Sequence, residues 1–141
     1  MKLRLSSAFL VVAAVIGSGC SSSVSSSSTP EAGSGDILSS TTAGGATTWQ
    51  VKWFNNIADE NNGNGQLLTV HKGDSVIWVS TDNQMHTVSP PIGSTAPSPF
   101  TANSNTVFTT QSPPISFPTA GAFPYECAVH GPMMIGTITV Q

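Results

Sequence analysis

Gln66-Leu67-Leu68-Thr69-Val70-His71-Lys72-Gly73-Asp74-Ser75-Val76-Ile77-Trp78-Val79-Ser80 reads as a strand, a turn and a second strand. Gly73 suits the positive φ that a tight turn needs, and Asp74 is a common turn residue. Val76 and Trp78 share one face of the second strand, and Val76-Ile77-Trp78-Val79 is apolar enough to sit centrally in a sheet. Working upstream, Trp49, Val51 and Trp53 alternate with polar residues at the period of a half-buried strand. The Asn- and Gly-rich stretch from Asn55 to Gly65 between them reads as a surface loop.

Downstream the same rhythm continues. Thr81 to Met85 leads as a loop into a strand over His86-Thr87-Val88-Ser89, which Pro90 and Pro91 end because proline cannot donate to a ladder. Ile92 to Ser104 is a Pro/Ser/Thr loop without regular pattern. Thr106 to Thr110 and Ile115 to Phe117 are short strands, and Thr119-Ala120-Gly121 is a turn. Ala122 to Cys127 and Gly136 to Gln141 close the chain as two more strands. No stretch beyond residue 20 carries a sustained helical period. Short strands separated by turn signals predict an all-β fold, an antiparallel sandwich or barrel over residues 47–141. Trp78, Phe117, Phe123, Val76, Ile138 and Val140 are its expected core.

Residues 1–19 have the parts of a secretion signal. Lys2 and Arg4 form a positive end, Phe9 to Ile16 an apolar run, and Gly17-Ser18-Gly19 the small residues before Cys20. That run is short of the roughly 20 residues a membrane span requires. Gly19-Cys20 resembles the end of a bacterial lipobox, although Gly17 stands where an aliphatic residue is usual. A lipid-modified Cys20 is therefore expected, with export across the cytoplasmic membrane to a periplasmic or cell-surface location. Residues 20–46 are dominated by Ser, Thr, Gly and Ala, too polar to offset their ordering entropy by burial, and read as a tether.

The charge balance excludes some partners. Four Lys and Arg stand against seven Asp and Glu, a net charge of −3, and only Lys52 and Lys72 are basic after Arg4. No basic patch for nucleic acid and no basic amphipathic helix for a membrane surface is present. The cysteines say more. The chain has two, and with Cys20 lipidated or removed, Cys127 has no disulfide partner in an oxidising compartment. Such a thiol is either buried or bound to metal.

Cys127 stands in Tyr125-Glu126-Cys127-Ala128-Val129-His130-Gly131-Pro132-Met133-Met134-Ile135-Gly136, where a strand ends, a loop follows and a strand begins. A soft thiolate, a borderline imidazole and a thioether from Met133 or Met134 are gathered there. Taken singly, each has a plain structural role: a core thiol, a polar strand end, gap-filling methionines. Together they form a ligand set of copper chemistry, which wants a second imidazole. His86, beyond a loop at the start of a strand, is the candidate; His71 sits in the Lys72-Gly73-Asp74 turn and reads as a surface residue. Two His, one Cys and a Met make a poor zinc set.

At this point three ordered segments resemble the small blue copper proteins, the cupredoxins of plastocyanin, amicyanin and pseudoazurin type. Val70 to Trp78 is similar to the family's V-x-K-G-D-x-V-x-W strand pair. Asp82 to Val88 is similar to its D-x-x-x-H-x-V segment, and Gly121 to His130 to G-x-Y-x-Y-x-C-x-x-H. The resemblance implies a Greek-key β-sandwich holding one type 1 copper ion on His86, Cys127 and His130. The axial methionine usually lies two residues before a glycine, which favours Met134 before Gly136 over Met133. Departures are Ser80 and Thr87 in place of frequent asparagines, Phe123 for tyrosine and Ala120 for proline; none removes a ligand.

The expected activity is electron carriage, not enzymatic catalysis. No open metal position and no base or nucleophile constellation is evident. Redox partner proteins would dock near the copper end of a monomer, where Gly131, Pro132, Met133 and Pro90-Pro91 surround the imidazole edges. The alternative is periplasmic copper storage or delivery, against which the small number of methionines weighs: four including Met1. A metal-free adhesion sandwich would leave the His, Cys and Met arrangement unexplained.

Overall fold

The computed structural model describes residues 36–94, 99–102 and 106–141; the signal segment, Cys20 and the first part of the tether lie outside them. Two sheets face each other across one core. The first has the order β1 (Ile37–Ala43), β2 (Ala46–Trp53), β4 (Ser75–Ser80), β5 (Ile115–Ser116). The second has the order β3 (Gln66–Val70), β7 (Gly131–Val140), β6 (Gly121–Cys127). Alternating residues of both sheets meet between them: Val51, Trp53, Val76 and Trp78 from one, Leu68, Tyr125, Cys127, Met134 and Ile138 from the other. The fold is a β-sandwich.

The sandwich is not uniformly antiparallel. β2 runs parallel to β4, with Val51 opposite Trp78, and β3 runs parallel to β7, with Leu68 opposite Ile138. The reason lies in the turn at His71 to Asp74. β3 and β4 do not pair with one another; the turn carries the chain from one sheet to the other. Asp74, buried at 2% exposure, anchors the crossing. One carboxylate oxygen accepts the Thr47 N–H at 2.7 Å, and the other accepts Trp49 Nε1–H and the His71 N–H, both at 3.0 Å. These three N–H donors make a buried carboxylate tolerable.

Other expectations are corrected. Ile37–Ala43, read as tether, is the edge strand β1, antiparallel to β2. All but Ile37 in it are exposed, so hydrogen bonds rather than burial hold it, and hydropathy gave no sign of it. The segment at His86 to Ser89 is not a strand; isolated bridges join His86 to Phe108 and Ser89 to Glu126. The loop after Asn55 holds one helical turn, Ile57–Glu60, whose Ile57 and Ala58 are buried. Pro99–Ala102 forms a 3-10 turn that seats Phe100 in the core against Trp78, Phe117 and Tyr125. Of the expected core, Phe123 is only half-buried, while Trp53, Tyr125 and Phe100 are fully enclosed.

Among the described residues, no helix is long and apolar enough to cross a membrane.

Candidate metal centre

Three elements deliver three donor atoms to one end of the sandwich. Cys127 is the last residue of β6, fully buried, with its side chain on the core side that Tyr125 also occupies. The chain then turns tightly. The His130 N–H donates to the Cys127 carbonyl at 3.2 Å, and Cys127 is opposite Gly131 at the start of β7. Gly131 adopts φ 61°, the left-handed conformation that glycine enters without strain, and this lets β7 begin directly after the histidine. The turn folds His130 back, so its Nδ1 lies 3.5 Å from Cys127 Sγ.

His86 arrives from the opposite side. Its backbone exchanges two hydrogen bonds with Phe108, each 2.9 Å, and its ring is fully buried. Trp53 Nε1–H donates to the Thr87 carbonyl at 3.1 Å, tying this segment to β2. His86 Nδ1 is 3.9 Å from Sγ, and the two imidazole centroids are 5.0 Å apart. The ligand atoms of His86, Cys127 and His130 all lie within 4.8 Å of one another. The sequence-predicted triad is thus brought together. His71 is excluded from it: its side chain is 54% exposed at the opposite turn, beside Asp74.

The two methionines separate by face. Met134 is fully buried and belongs to the same apolar cluster as Cys127, whereas Met133 is 43% exposed. The described position of Met134 suits an inward thioether; Met133 points to solvent.

The sulfur is held by its surroundings. The Thr87 N–H points at Sγ at 3.4 Å, and the Thr87 hydroxyl accepts the Ala128 N–H at 2.8 Å. One residue therefore locks the thiol-bearing strand end against the His86 segment. Thr87, noted in the sequence as a departure from asparagine, makes this bridge with its hydroxyl.

The outer nitrogens of both rings are also taken. His86 Nε2 is 2.8 Å from Asp82 Oδ1, and His130 Nε2 is 3.2 Å from Gln84 Oε1. In the sequence Asp82 is only the first residue of the D-x-x-x-H-x-V match and Gln84 has no place of its own, because nothing in the spacing says which loop side chains reach back to a ring. Burial alone would raise the Asp82 pKa. The Asn55 N–H, the His86 ring and the Gln84 N–H outweigh it, and the carboxyl is held well below the usual carboxylate range. Partial desolvation, then repulsion from His86, lowers the His130 pKa, against a weaker opposing pull from Asp82. A proton competes less well for that imidazole as a result, which leaves its lone pair available to a metal ion.

The donor set fits copper. One cysteine sulfur and two imidazole nitrogens around a common point, with a buried thioether on the core side, is a soft-to-borderline set. Zinc would want four strong donors, and the thioether is a poor fourth.

No family model matches the chain, and no curated relative does. Solved structures do show likenesses. A mutant plastocyanin of fern has 23% identity, covering 53% of this chain and 83% of its own at a TM-score of 0.46. The oxidised plastocyanin of Dryopteris crassirhizoma has 21% identity, with 65% and 99% covered and a TM-score of 0.49. A reduced amicyanin mutant has 21% identity, with 74% and 96% covered and a TM-score of 0.44. The resemblance is one of distant β-sandwiches.

Proposed function

We propose that this protein is an extracytoplasmic electron carrier that holds one type 1 copper ion on His86, Cys127 and His130, with Met134 as the weak axial donor. The observation that supports it is the convergence of Sγ and two imidazole nitrogens within 4.8 Å at one end of a rigid sandwich. When bound, copper supplies a one-electron couple. The chain's part is to keep the donors in place in both states, and β6, the turn to Gly131 and the His86–Phe108 bridge do this through backbone hydrogen bonds. Little rearrangement on electron transfer is the consequence.

His130 reaches the surface, and its sequence neighbours are apolar and exposed. Val129 is 52% exposed and Met133 43%, and Met85, next to His86, is 58% exposed. We read this rim as the face where a redox partner protein docks, since an apolar surface favours brief, unspecific contact close to the metal. Storage or delivery of copper is the weaker reading. Two of the three strong donors, His86 and Cys127, are fully buried, which opposes handing the ion to another protein.

Titration of the metal-free protein with Cu(II) tests the proposal. One equivalent should bring up an intense blue absorption that cycles through ascorbate and ferricyanide without release of metal. A colourless product, or copper lost on each reduction, would sink it. In the same assay Met134→Gln should change the spectrum and lower the potential. Met133→Glu should leave the spectrum intact while slowing electron exchange with a protein partner several-fold. The reverse pattern would exchange the roles of the two methionines.

The location rests on the N-terminal sequence. We propose that Cys20 carries the lipid anchor and that the Ser-rich segment spans the distance to the sandwich. Radiolabelled fatty acid should be incorporated by the wild-type chain and not by Cys20→Ser. Equal labelling of both would remove the anchor from the account.

A further inference from the structure

One short loop grips both imidazoles of the centre from outside. Asp82 Oδ1 meets His86 Nε2 at 2.8 Å, and Gln84 Oε1 meets His130 Nε2 at 3.2 Å, while both Nδ1 atoms face Cys127 Sγ at 3.9 and 3.5 Å. An ionised carboxylate and an amide oxygen can only accept hydrogen bonds. The carboxylate puts the ring hydrogen on His86 Nε2, and the Gln84 amide, turned with Oε1 to the ring, puts it on His130 Nε2; each Nδ1 lone pair is left toward the sulfur.

The loop is itself built to hold this position. Asp82 Oδ2 accepts the Asn55 N–H at 2.8 Å, and Oδ1 accepts the Gln84 N–H at 3.0 Å and the Ser80 hydroxyl at 3.2 Å. Asn83, between the two gripping residues, adopts φ 60°, a left-handed conformation asparagine tolerates in turns. The Thr81 N–H donates to the Trp53 carbonyl at 3.2 Å, fastening the loop to the end of β2. The two grips differ in charge. Asp82 brings a full negative charge to a buried ring through a side chain only 21% exposed; Gln84 brings none.

We infer that Asp82 and Gln84 are positioning residues that fix both imidazoles in the metal-ligating tautomer before any ion arrives, and that the Asp82 charge biases a bound copper ion toward Cu(II). The second half rests on the copper reading proposed above; the first concerns the metal-free protein alone. An outer acceptor raises the basicity of the ligating nitrogen, and a nearby anion stabilises the more positive ion.

Two measurements test this. Long-range proton–nitrogen NMR of the metal-free protein, at a pH where both rings are neutral, reports which nitrogen holds each hydrogen. Wild type should show Nε2–H for His86 and His130. Gln84→Ala should return His130 to a mixture of tautomers and leave His86 unchanged, while Asp82→Ala should do the converse. Gln84 is exposed, so its replacement does not put folding at risk. Unmoved tautomers in both variants would overturn the positioning role. Asp82→Asn keeps an acceptor oxygen and removes only the charge. In the copper-loaded protein it should lower the ratio of Cu(II) to Cu(I) affinity about tenfold, the low end of what outer partners of ligating histidines contribute. An unchanged ratio would overturn the electrostatic half. If wild type fails to bind copper in the blue form, the function proposed above falls, and the tautomer spectra still decide the positioning role.

Discussion

Cys127→Ser should abolish the blue absorption of the copper-loaded protein completely while leaving the sandwich folded. The thiol is the only soft anionic donor among the described residues of the centre, and the colour depends on its sulfur. A serine hydroxyl stays protonated near neutral pH and is a hard donor, so it replaces the thiol in volume and not in chemistry. The Thr87 N–H and the two imidazoles that face Sγ can still hydrogen-bond to an oxygen. The buried hydroxyl is therefore not left without partners, and the expected loss of stability is about 1 kcal/mol. Absorption after Cu(II) addition, read beside a urea melt of the metal-free protein, separates the two effects. A blue band that survives the substitution would show that the sulfur is not the ligand. Loss of both colour and fold would leave Cys127 as a core residue and nothing more.

The triad could be read from the sequence because each member sits at a position set by short-range rules. Cys127 ends an alternating strand, His130 follows within one turn, and His86 begins a segment that proline closes. What joined them was the sandwich, and its strands were legible from alternation at Trp49 to Trp53 and Val76 to Trp78. The features that escaped are those with no local signature. β1 is exposed on nearly every residue and is held by its ladder to β2, so its composition looks like a linker. Phe100 sits amid proline, serine and threonine, yet it fills the space between Trp78, Phe117 and Tyr125. The parallel pairing of β3 with β7 depends on a turn that changes sheets, and a turn sequence alone does not say which sheet the next strand joins. Asp82 and Gln84 are within four residues of His86 in the chain, but only the folded loop aims one at each ring. Local pattern specifies elements; long-range packing specifies partners.

Gly136→Ala is the second large effect expected, and it connects the core to the centre. Gly136 lies directly opposite Tyr125 in the β6–β7 ladder. The Tyr125 ring crosses over it, and a Cβ at Gly136 would overlap the ring's terminal carbon and hydroxyl and come within 2.8 Å of the Gln66 carbonyl oxygen. Neither neighbour can yield easily. The ring is packed at 5.3 Å from Trp53, 5.1 Å from Trp78 and 5.5 Å from Phe100, centroid to centroid. Its hydroxyl donates to Gln66 Oε1, and Gln66 Nε2 donates in turn to the Lys52 carbonyl at 2.7 Å. The glycine that helped to favour Met134 in the sequence thus has a physical cause: it makes room for an aromatic ring. Overpacking of this kind costs about 1–3 kcal/mol where neighbours can shift, and the enclosure here argues for about 3 kcal/mol. That is a large share of a typical domain stability of about 5–15 kcal/mol. Because Cys127 follows Tyr125 by two residues and Met134 precedes Gly136 by two, any splaying of the strands there should also disturb the spectrum of the loaded site. Urea unfolding of the metal-free protein gives the first quantity and Cu(II) titration the second. Adding Tyr125→Leu to Gly136→Ala should recover part of the loss, measured against Tyr125→Leu alone, since the ring causes the conflict. A shift below about 0.5 kcal/mol in Gly136→Ala, the level of an ordinary surface substitution, would mean that the strands have slack that this packing denies.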